Sequence, residues 1–110
     1  MTIYKILTKR MWEDAVAHGS FDGSPIDLAD GFIHFSTAAQ VRETAAKHFA
    51  GASDLLLVAV STDALDAIKW EPSRGGDLFP HLYASLPVIA IEWVKPLPLG
   101  ADGRHIFPAL

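Results

Sequence analysis

The junction between a short strand and a helix restricts the possible folds of this chain more than any other segment. Residues 32–35 read as an apolar strand, and Thr37 with Gln40 forms a capping box that begins a helix directly after it. His34 and Ser36 share one face of this strand, because side chains two apart point the same way. A helix N-terminus carries free N–H groups that attract anions. The junction therefore predicts a ligand site built on a strand-to-helix turn.

Elsewhere the chain mixes strands and helices without a regular alternation. Thr8 is placed to cap a helix over residues 9–18 that ends at Gly19, and a second main helix runs from the capping box to Gly51. Strands are predicted at residues 3–7, 32–35, 54–60, 68–71, 82–84 and 88–94, with loops at 19–30 and 72–80. Because the late strands are short and the order is irregular, the pattern predicts an α+β fold with a mostly antiparallel sheet rather than a doubly wound fold.

The composition predicts one soluble, cytoplasmic domain over residues 1–110. Half of the 110 residues are apolar, which is enough for a hydrophobic core. The formal net charge of −4 argues against a general nucleic-acid-binding surface, because such surfaces are basic. The chain has no cysteine, which excludes disulfides, thiolate catalysis and cysteine-ligated metals. The longest apolar run, near residues 55–60, is too short to span a membrane.

A second polar pair, His81 and Tyr83, has the same spacing as His34 and Ser36. In a ligand-binding interpretation, Ser36 or Thr37 takes a phosphate or carboxylate, His34 moves a proton or bonds a hydroxyl, and Tyr83 stacks on a planar ring. In a structural interpretation, Ser36 caps the helix, while His34 and Tyr83 are hydrogen-bonded strand residues. Both interpretations stay open, because spacing alone does not show whether the two pairs meet.

Two more polar residues flank the predicted loop before His81. Arg74 lies beside two glycines and is suited to clamping an anion, and Glu71 is a candidate acid or base. The alternatives are a solvated loop charge for Arg74 and a surface ion-pair partner for Glu71. No metal site is predicted, because the His-x-His and HExxH spacings are missing, and no nucleophile elbow or phosphate-binding glycine motif occurs.

Four segments together resemble a small bacterial family, domain of unknown function 952. They are Ile3-Tyr4-Lys5-Ile6 followed by Trp12, Asp30-Gly31-Phe32-Ile33-His34-Phe35-Ser36-Thr37-Ala38, Trp70-Glu71, and Phe79-Pro80-His81-Leu82-Tyr83. The resemblance implies a compact α+β domain similar to the ADP-ribosyltransferase catalytic fold, a split pair of small sheets around a nicotinamide-dinucleotide cleft. The stretch 33–36 is also similar to the His-Leu-Ser strand of RNA 2′-phosphotransferases, which implies that His34 and Ser36 line the cleft.

The first strand departs from those enzymes. They commonly carry a His-Gly-Thr-like segment whose histidine or arginine helps to hold the cofactor, whereas residues 4–8 contain neither histidine nor glycine. Glu92, in the last predicted strand, is the candidate counterpart of their catalytic glutamate. NAD is therefore the one cofactor that the resemblance suggests, and the departure concerns the residues that would hold it.

Three functions follow from these residues and the resemblance. The first is a cleft for a small anionic ligand, a nucleotide or a phosphate. Its ligand-binding residues are Ser36, Thr37, Arg74 and Tyr83. The second is an NAD-dependent enzyme of ADP-ribosyl-transfer type. Its catalytic residues are His34, Glu71, His81 and Glu92. The third is a non-catalytic interaction or regulatory domain, in which the three tryptophans form core or a partner surface.

Overall fold

The bounds of the strands and helices come from a computed structural model, which describes residues 1–110 with the exception of the Arg74 side chain. The strands are β1 (Thr2–Thr8), β2 (Ser20–Phe21), β3 (Ile33–His34), β4 (Leu55–Ser61), β5 (Ile68–Pro72), β6 (Leu78–Leu82), β7 (Leu86–Pro87) and β8 (Ile91–Pro96). The helices are α1 (Lys9–His18), α2 (Pro25–Asp30) and α3 (Val41–His48). No helix in the described residues is long and apolar enough to cross a bilayer.

Two three-stranded antiparallel sheets form the body of the molecule. In one sheet β4 lies between β1 and β8, and in the other β6 lies between β3 and β5. A two-stranded antiparallel ribbon joins β2 to β7. One antiparallel pair, Tyr4 with Ser36, connects the outer edge of β1 to the chain just after β3. The predicted α+β class, with antiparallel sheets in a compact domain, is confirmed.

The β1–β4–β8 sheet is buried on both faces. Ile3 and Leu7 belong to one apolar cluster, against which α1 packs, and Tyr4 and Ile6 belong to a second cluster that includes residues of α3. Because successive side chains of a strand alternate between faces, Lys5 shares a face with Ile3 and Leu7. Lys5 is only 8% exposed. A buried lysine in an apolar row needs a partner, and that partner lies in the functional site described below.

Helix α1 forms as predicted. The Thr8 hydroxyl accepts a hydrogen bond from the Met11 N–H at 3.1 Å, which satisfies one of the free donors at the start of the helix. Gly19 follows the helix with a φ of 83°, a left-handed conformation that glycine adopts at little cost. The boundaries are right because both signals are local in sequence.

The loop prediction for residues 19–30 is wrong in its second half, which forms α2. Ser24 and Asp27 form a reciprocal capping box: the Ser24 N–H donates to Asp27 Oδ2 at 2.8 Å, and the Asp27 N–H donates to Ser24 Oγ at 3.4 Å. Pro25 occupies the first turn, where its missing N–H is not needed. The composition suggested a loop, but the order of the residues encodes a helix start.

The predictions around β6 and β8 are also wrong. Residues 78–80 were expected in a loop, but they belong to β6, the central strand of its sheet. Pro80 is tolerated there because its carbonyl accepts from the Phe35 N–H at 3.0 Å, so only the return hydrogen bond is lost. Residues Val88–Ala90, expected to begin the last strand, form a 3₁₀ turn, and β8 starts at Ile91.

Candidate functional site

A cleft of about 750 Å³ lies between β1, α2 and α3. Its floor is formed by β1, one wall by the start of α2, and the opposite wall by α3 from Val41 to Phe49. His34 and Ser36 both line it. The cleft opens where the two three-stranded sheets part, since β1 and the chain after β3 pair at Tyr4 and Ser36 and diverge from there.

Lys5 and Asp27 form a buried ion pair at the floor of this cleft. Lys5 Nζ lies 3.1 Å from Asp27 Oδ1 and 3.0 Å from Asp27 Oδ2, and the Asp27 side chain is 1% exposed. Burial lowers the pKa of Lys5, and the charge and hydrogen bond of Asp27 oppose that change. Removing either partner would leave an uncompensated buried charge.

His34 lies between two carboxylates. Its Nδ1 is 2.6 Å from Asp27 Oδ1, its Nε2 is 2.9 Å from Asp30 Oδ2, and its backbone N–H donates to Asp27 Oδ1 at 3.1 Å. Each ring nitrogen thus has a carboxylate oxygen within hydrogen-bond distance, so both polar atoms of the ring have partners within the protein. Burial by itself would raise the pKa of Asp27, but the hydrogen bond from His34 and the charge of Lys5 outweigh it and hold that pKa well below its usual range.

His81, Glu71 and Tyr83 form a second hydrogen-bonded cluster on the β5–β6 side. His81 Nδ1 lies 2.8 Å from Glu71 Oε1, and the Tyr83 hydroxyl donates to the same oxygen at 2.7 Å. The hydrogen bond from His81, followed by that from Tyr83, lowers the pKa of Glu71. The hydrogen bond to Glu71, with burial, raises the pKa of Tyr83. Glu71 is therefore an ionised acceptor at neutral pH.

Phe32 connects the two clusters. Its ring stacks on that of His81 at 4.1 Å between centroids and contacts those of His34 and Tyr83 at 4.6 and 5.2 Å. The His34 and His81 rings are 5.4 Å apart, edge to face. They are direct cross-strand partners in β3 and β6, and because the neighbouring Phe35 carries the ladder hydrogen bond, their side chains approach closely. The structure thus brings together the two histidines that the sequence could only place on separate strands.

Ser36 and Thr37 lie before the start of α3 rather than at its N-terminus. Helix α3 begins at Val41, and the Thr37 carbonyl accepts from the N–H groups of Gln40 and Val41 at 3.1 and 3.0 Å. The Thr37 N–H itself donates to the Gln40 side chain at 3.0 Å, which is half of the predicted capping box. Thr37 is not among the residues that line the cleft.

The Ser36 hydroxyl is already used within the protein. It lies 2.9 Å from the Thr44 hydroxyl, which itself donates to the Gln40 carbonyl at 3.2 Å. Ser36 is therefore the donor in the bond that it shares with Thr44, and it presents only acceptor lone pairs to the cleft. In this arrangement Ser36 does not cap α3, and its hydroxyl proton is not free for an anion.

Of the other predicted site residues whose side chains are described, four do not line the cleft: Glu71, His81, Tyr83 and Glu92. Glu92 is exposed on β8, the edge of its sheet opposite β1, so β4 separates it from the cleft floor. The side chain of Arg74 lies outside the described residues. Its neighbour Ser73 lines the cleft, so the loop that carries Arg74 borders the site.

The sequence interpretation missed Lys5 and Asp27, which organise the site. Lys5 is recognisable as the charged member of the apolar row Ile3, Lys5, Leu7, a position that faces the core. Asp27 is recognisable as the third residue after Ser24 in a Ser-Pro-x-Asp capping signal. Among the side chains that the structure describes, no three carboxylate or imidazole groups converge as metal ligands would.

Comparison with known proteins gives the family. The family model described as "Protein of unknown function (DUF952)" matches residues 6–94. The chain belongs to this family. The crystal structure of protein CC0527 from Caulobacter crescentus superimposes with a TM-score of 0.92 at 48% identity, over 96% of this chain and 94% of that one. The solution NMR structure of the same protein superimposes with a TM-score of 0.85 at 51% identity, over 94% of this chain and 90% of that one. Comparison with curated proteins found no match. The predicted family is confirmed.

Proposed function

We propose that this DUF952 protein binds a small anionic ligand in the cleft between β1, α2 and α3. One observation carries the proposal: two lysines and two histidines line the cleft, and none of its lining residues is acidic. The chain as a whole has 13 acidic and 9 basic residues, so the lining departs from the overall charge. The cleft volume lies within the range of small-molecule sites.

Lys5 is the inner anchor of the proposed site. An ammonium group has three N–H donors, and the two oxygens of Asp27 leave donor capacity for a ligand that reaches the floor. A hydrogen bond from a charged donor is stronger than a neutral one, and the effect grows where water is excluded. His34 lines the same floor, and its two ring nitrogens contact the carboxylates of Asp27 and Asp30.

Lys47 and His48 form the outer anchor, in the last turn of α3. Lys47 makes an ion pair with Glu43 at 3.0 Å, one turn earlier in the helix, and both side chains are more than half exposed. Such exposed pairs contribute about 0.2–1 kcal/mol, so the Lys47 ammonium can exchange Glu43 for a bound anion at little cost.

Isothermal titration calorimetry with inorganic phosphate, ADP and hexanoate tests the proposal, and NMR of the His34 and His48 rings locates the binding. We expect saturable binding of at least one probe, with shifts of both rings. Lys47→Gln should weaken it about twofold to fivefold, the range expected for one exposed charge. Lys95→Gln is the matched control, since Lys95 is exposed on β8 and packs over Trp93. No saturable response to any of the probes would refute the anion cleft.

The His81–Glu71–Tyr83 cluster favours a second candidate, ADP-ribosyl transfer from NAD on an ADP-ribosyltransferase-like fold. Such transfer develops positive charge on a ribose, and Glu71 is an ionised carboxylate held by two hydrogen bonds beside the Phe32 ring. The two sheets that part at Tyr4 and Ser36 support the split-sheet arrangement of that fold.

Release of nicotinamide from NAD, followed with and without candidate acceptors, tests this second candidate. Glu71→Gln should abolish the release, whereas Glu92→Gln, which alters an exposed carboxylate on the opposite sheet edge, should leave it unchanged. Equal loss in both variants, or no release by the wild-type protein, would rule out the role of Glu71 in such a reaction.

A further inference from the structure

Strand β1 has an incompletely paired edge. Tyr4 exchanges both backbone hydrogen bonds with Ser36, at 2.8 and 2.9 Å, on the side away from β4. Because the backbone groups of an antiparallel strand alternate between its two sides, Ile6 and Thr8 also face away from β4. Within the described part of the chain, the Ile6 N–H and C=O have no hydrogen-bond partner on that side.

Asp27 prevents β3 from covering this edge. If the pairing of Tyr4 with Ser36 continued, His34 would lie opposite Ile6. The His34 N–H points to that side but donates to the Asp27 carboxylate at 3.1 Å instead. The carboxylate therefore takes the N–H that would pair with Ile6, and the Ile6 backbone groups are left without that partner.

The unpaired groups of Ile6 are costly where they lie. Ile6 is 5% exposed, and buried backbone N–H and C=O groups are paired in the great majority of cases. An open strand edge is also the template on which an extended chain adds by β-pairing. The edge thus has the hydrogen-bonding groups that a peptide backbone matches.

The cleft faces this edge directly. Tyr4, Lys5 and Ile6 all line the cleft, although their side chains alternate between the two faces of the sheet. Consecutive residues can share a cleft in this way when the edge of the strand is turned toward it. Beyond the paired Tyr4, the edge from Lys5 to Thr8 spans roughly 10 Å at about 3.3 Å per residue, which is the length of a tetrapeptide.

The walls fit the side chains and the end group of such a peptide. Met11, Ile26 and Phe49 provide apolar surface along the cleft, and Lys5 and Lys47 provide ammonium groups for a carboxylate. We propose that the ligand is a short extended peptide with apolar side chains, which pairs with the free edge of β1 at Ile6 and places its C-terminal carboxylate on the cations of the cleft. The carboxylate part of this inference rests on the proposed function.

The probe is a pool of N-acetylated tetrapeptides with Val, Leu or Phe at every position and a free C-terminus, titrated into the wild-type protein by NMR. Binding should shift the Ile6 amide and slow its exchange with solvent at least tenfold. Amidated C-termini should weaken binding about twofold to fivefold, the effect of one exposed charge.

Backbone N-methylation separates edge pairing from binding by side chains or charge. Alternate N–H groups of a strand face opposite sides, so methylating one alternating set should abolish binding and methylating the other should leave it within about twofold. Equal effects of the two sets would overturn edge pairing. If hexanoate or phosphate binds and the peptide pool does not, the anion cleft stands and this inference fails; if nothing binds, both fail.

Ile6→Pro provides the matching change in the protein. Proline removes the outward N–H and is accepted on an edge strand whose N–H is unpaired, so the variant should fold and lose peptide binding at least tenfold. Ile6→Val keeps the N–H and should bind as the wild type does. If Ile6→Pro does not fold, the two N-methylated sets decide the question on the unmodified protein.

Discussion

The two histidine–carboxylate clusters are built from the same interaction but differ in burial. Asp27 is 1% exposed and holds both His34 and Lys5, whereas the Glu71 side chain is 36% exposed and holds His81 and Tyr83. A carboxylate that is buried with a lysine and a histidine as partners couples to the stability of the fold. A carboxylate at the surface has water as an alternative partner, so it can change partners at low cost. The comparison therefore predicts a large effect on stability for changes at Asp27 and a small one for changes at Glu71.

The largest expected effect is that of Asp27→Asn. It leaves Lys5 buried without a countercharge, and breaking a buried pair in this way costs about 3–5 kcal/mol in free energy of unfolding. Urea denaturation measures the change. Glu71→Gln is the matched variant in the exposed cluster and should cost much less.

The double variant Lys5→Met with Asp27→Asn checks the cause. If the unpaired ammonium is responsible, the free energy lost by Asp27→Asn should be largely restored when Lys5 is replaced by an apolar residue of similar length. A double variant as unstable as the sum of the two single ones would show that Asp27 acts through α2 and His34 rather than through Lys5.

A second, smaller effect concerns pH. Because the folded-state pKa of Asp27 lies below its ordinary value of 3.8, its contribution to stability is fully present above that value and is lost as the pH falls through the folded pKa. The stability difference between wild type and Asp27→Asn should therefore shrink as the pH falls below about 4. A difference that stays the same from pH 4.5 to pH 2.5 would show that Asp27 is not the group that titrates there.

The smallest effect is spectroscopic and concerns Tyr83. The hydrogen bond to Glu71 raises the pKa of Tyr83 above 10.0, so the phenol should ionise later than a free tyrosine as the pH rises. Its ultraviolet titration is cleanest in a Tyr4→Phe background, where Tyr83 is the one tyrosine left. Glu71→Gln should bring the transition back toward the ordinary range. An unchanged transition would mean that the Tyr83–Glu71 bond does not persist in solution.

Local signals made part of this structure predictable. Thr8 and Gly19 bound α1 because each acts on residues within one turn, and the apolar run of β4 reads as a strand. Helix α2 departs from the loop that its composition predicts, because Ser24 and Pro25 in that order begin a helix. Strand β6 departs from its predicted boundary for a similar reason, because Pro80 lies in the middle of the strand.

The site was predictable only in its parts. Strand spacing points to His34, His81 and Tyr83, and the loop before His81 points to Glu71; all four lie in the two clusters. Their meeting depends on the register of β3 against β6, which no local pattern encodes. The role of Asp27 depends on contacts 7 and 22 residues away along the chain, so it appears only when three elements are packed together.

Pro80 has a consequence for the shape of the whole molecule. Any other residue at this position would offer an N–H to the carbonyl of Phe35 and lengthen the ladder between β3 and β6 by one complete rung. With proline, only one of the two hydrogen bonds between Phe35 and Pro80 forms. Ser36, the residue after Phe35, makes both of its backbone hydrogen bonds with Tyr4 on the other sheet. The missing backbone N–H of Pro80 thus marks the place where the chain stops pairing with one sheet and pairs with the other. This place is the apex from which the cleft widens.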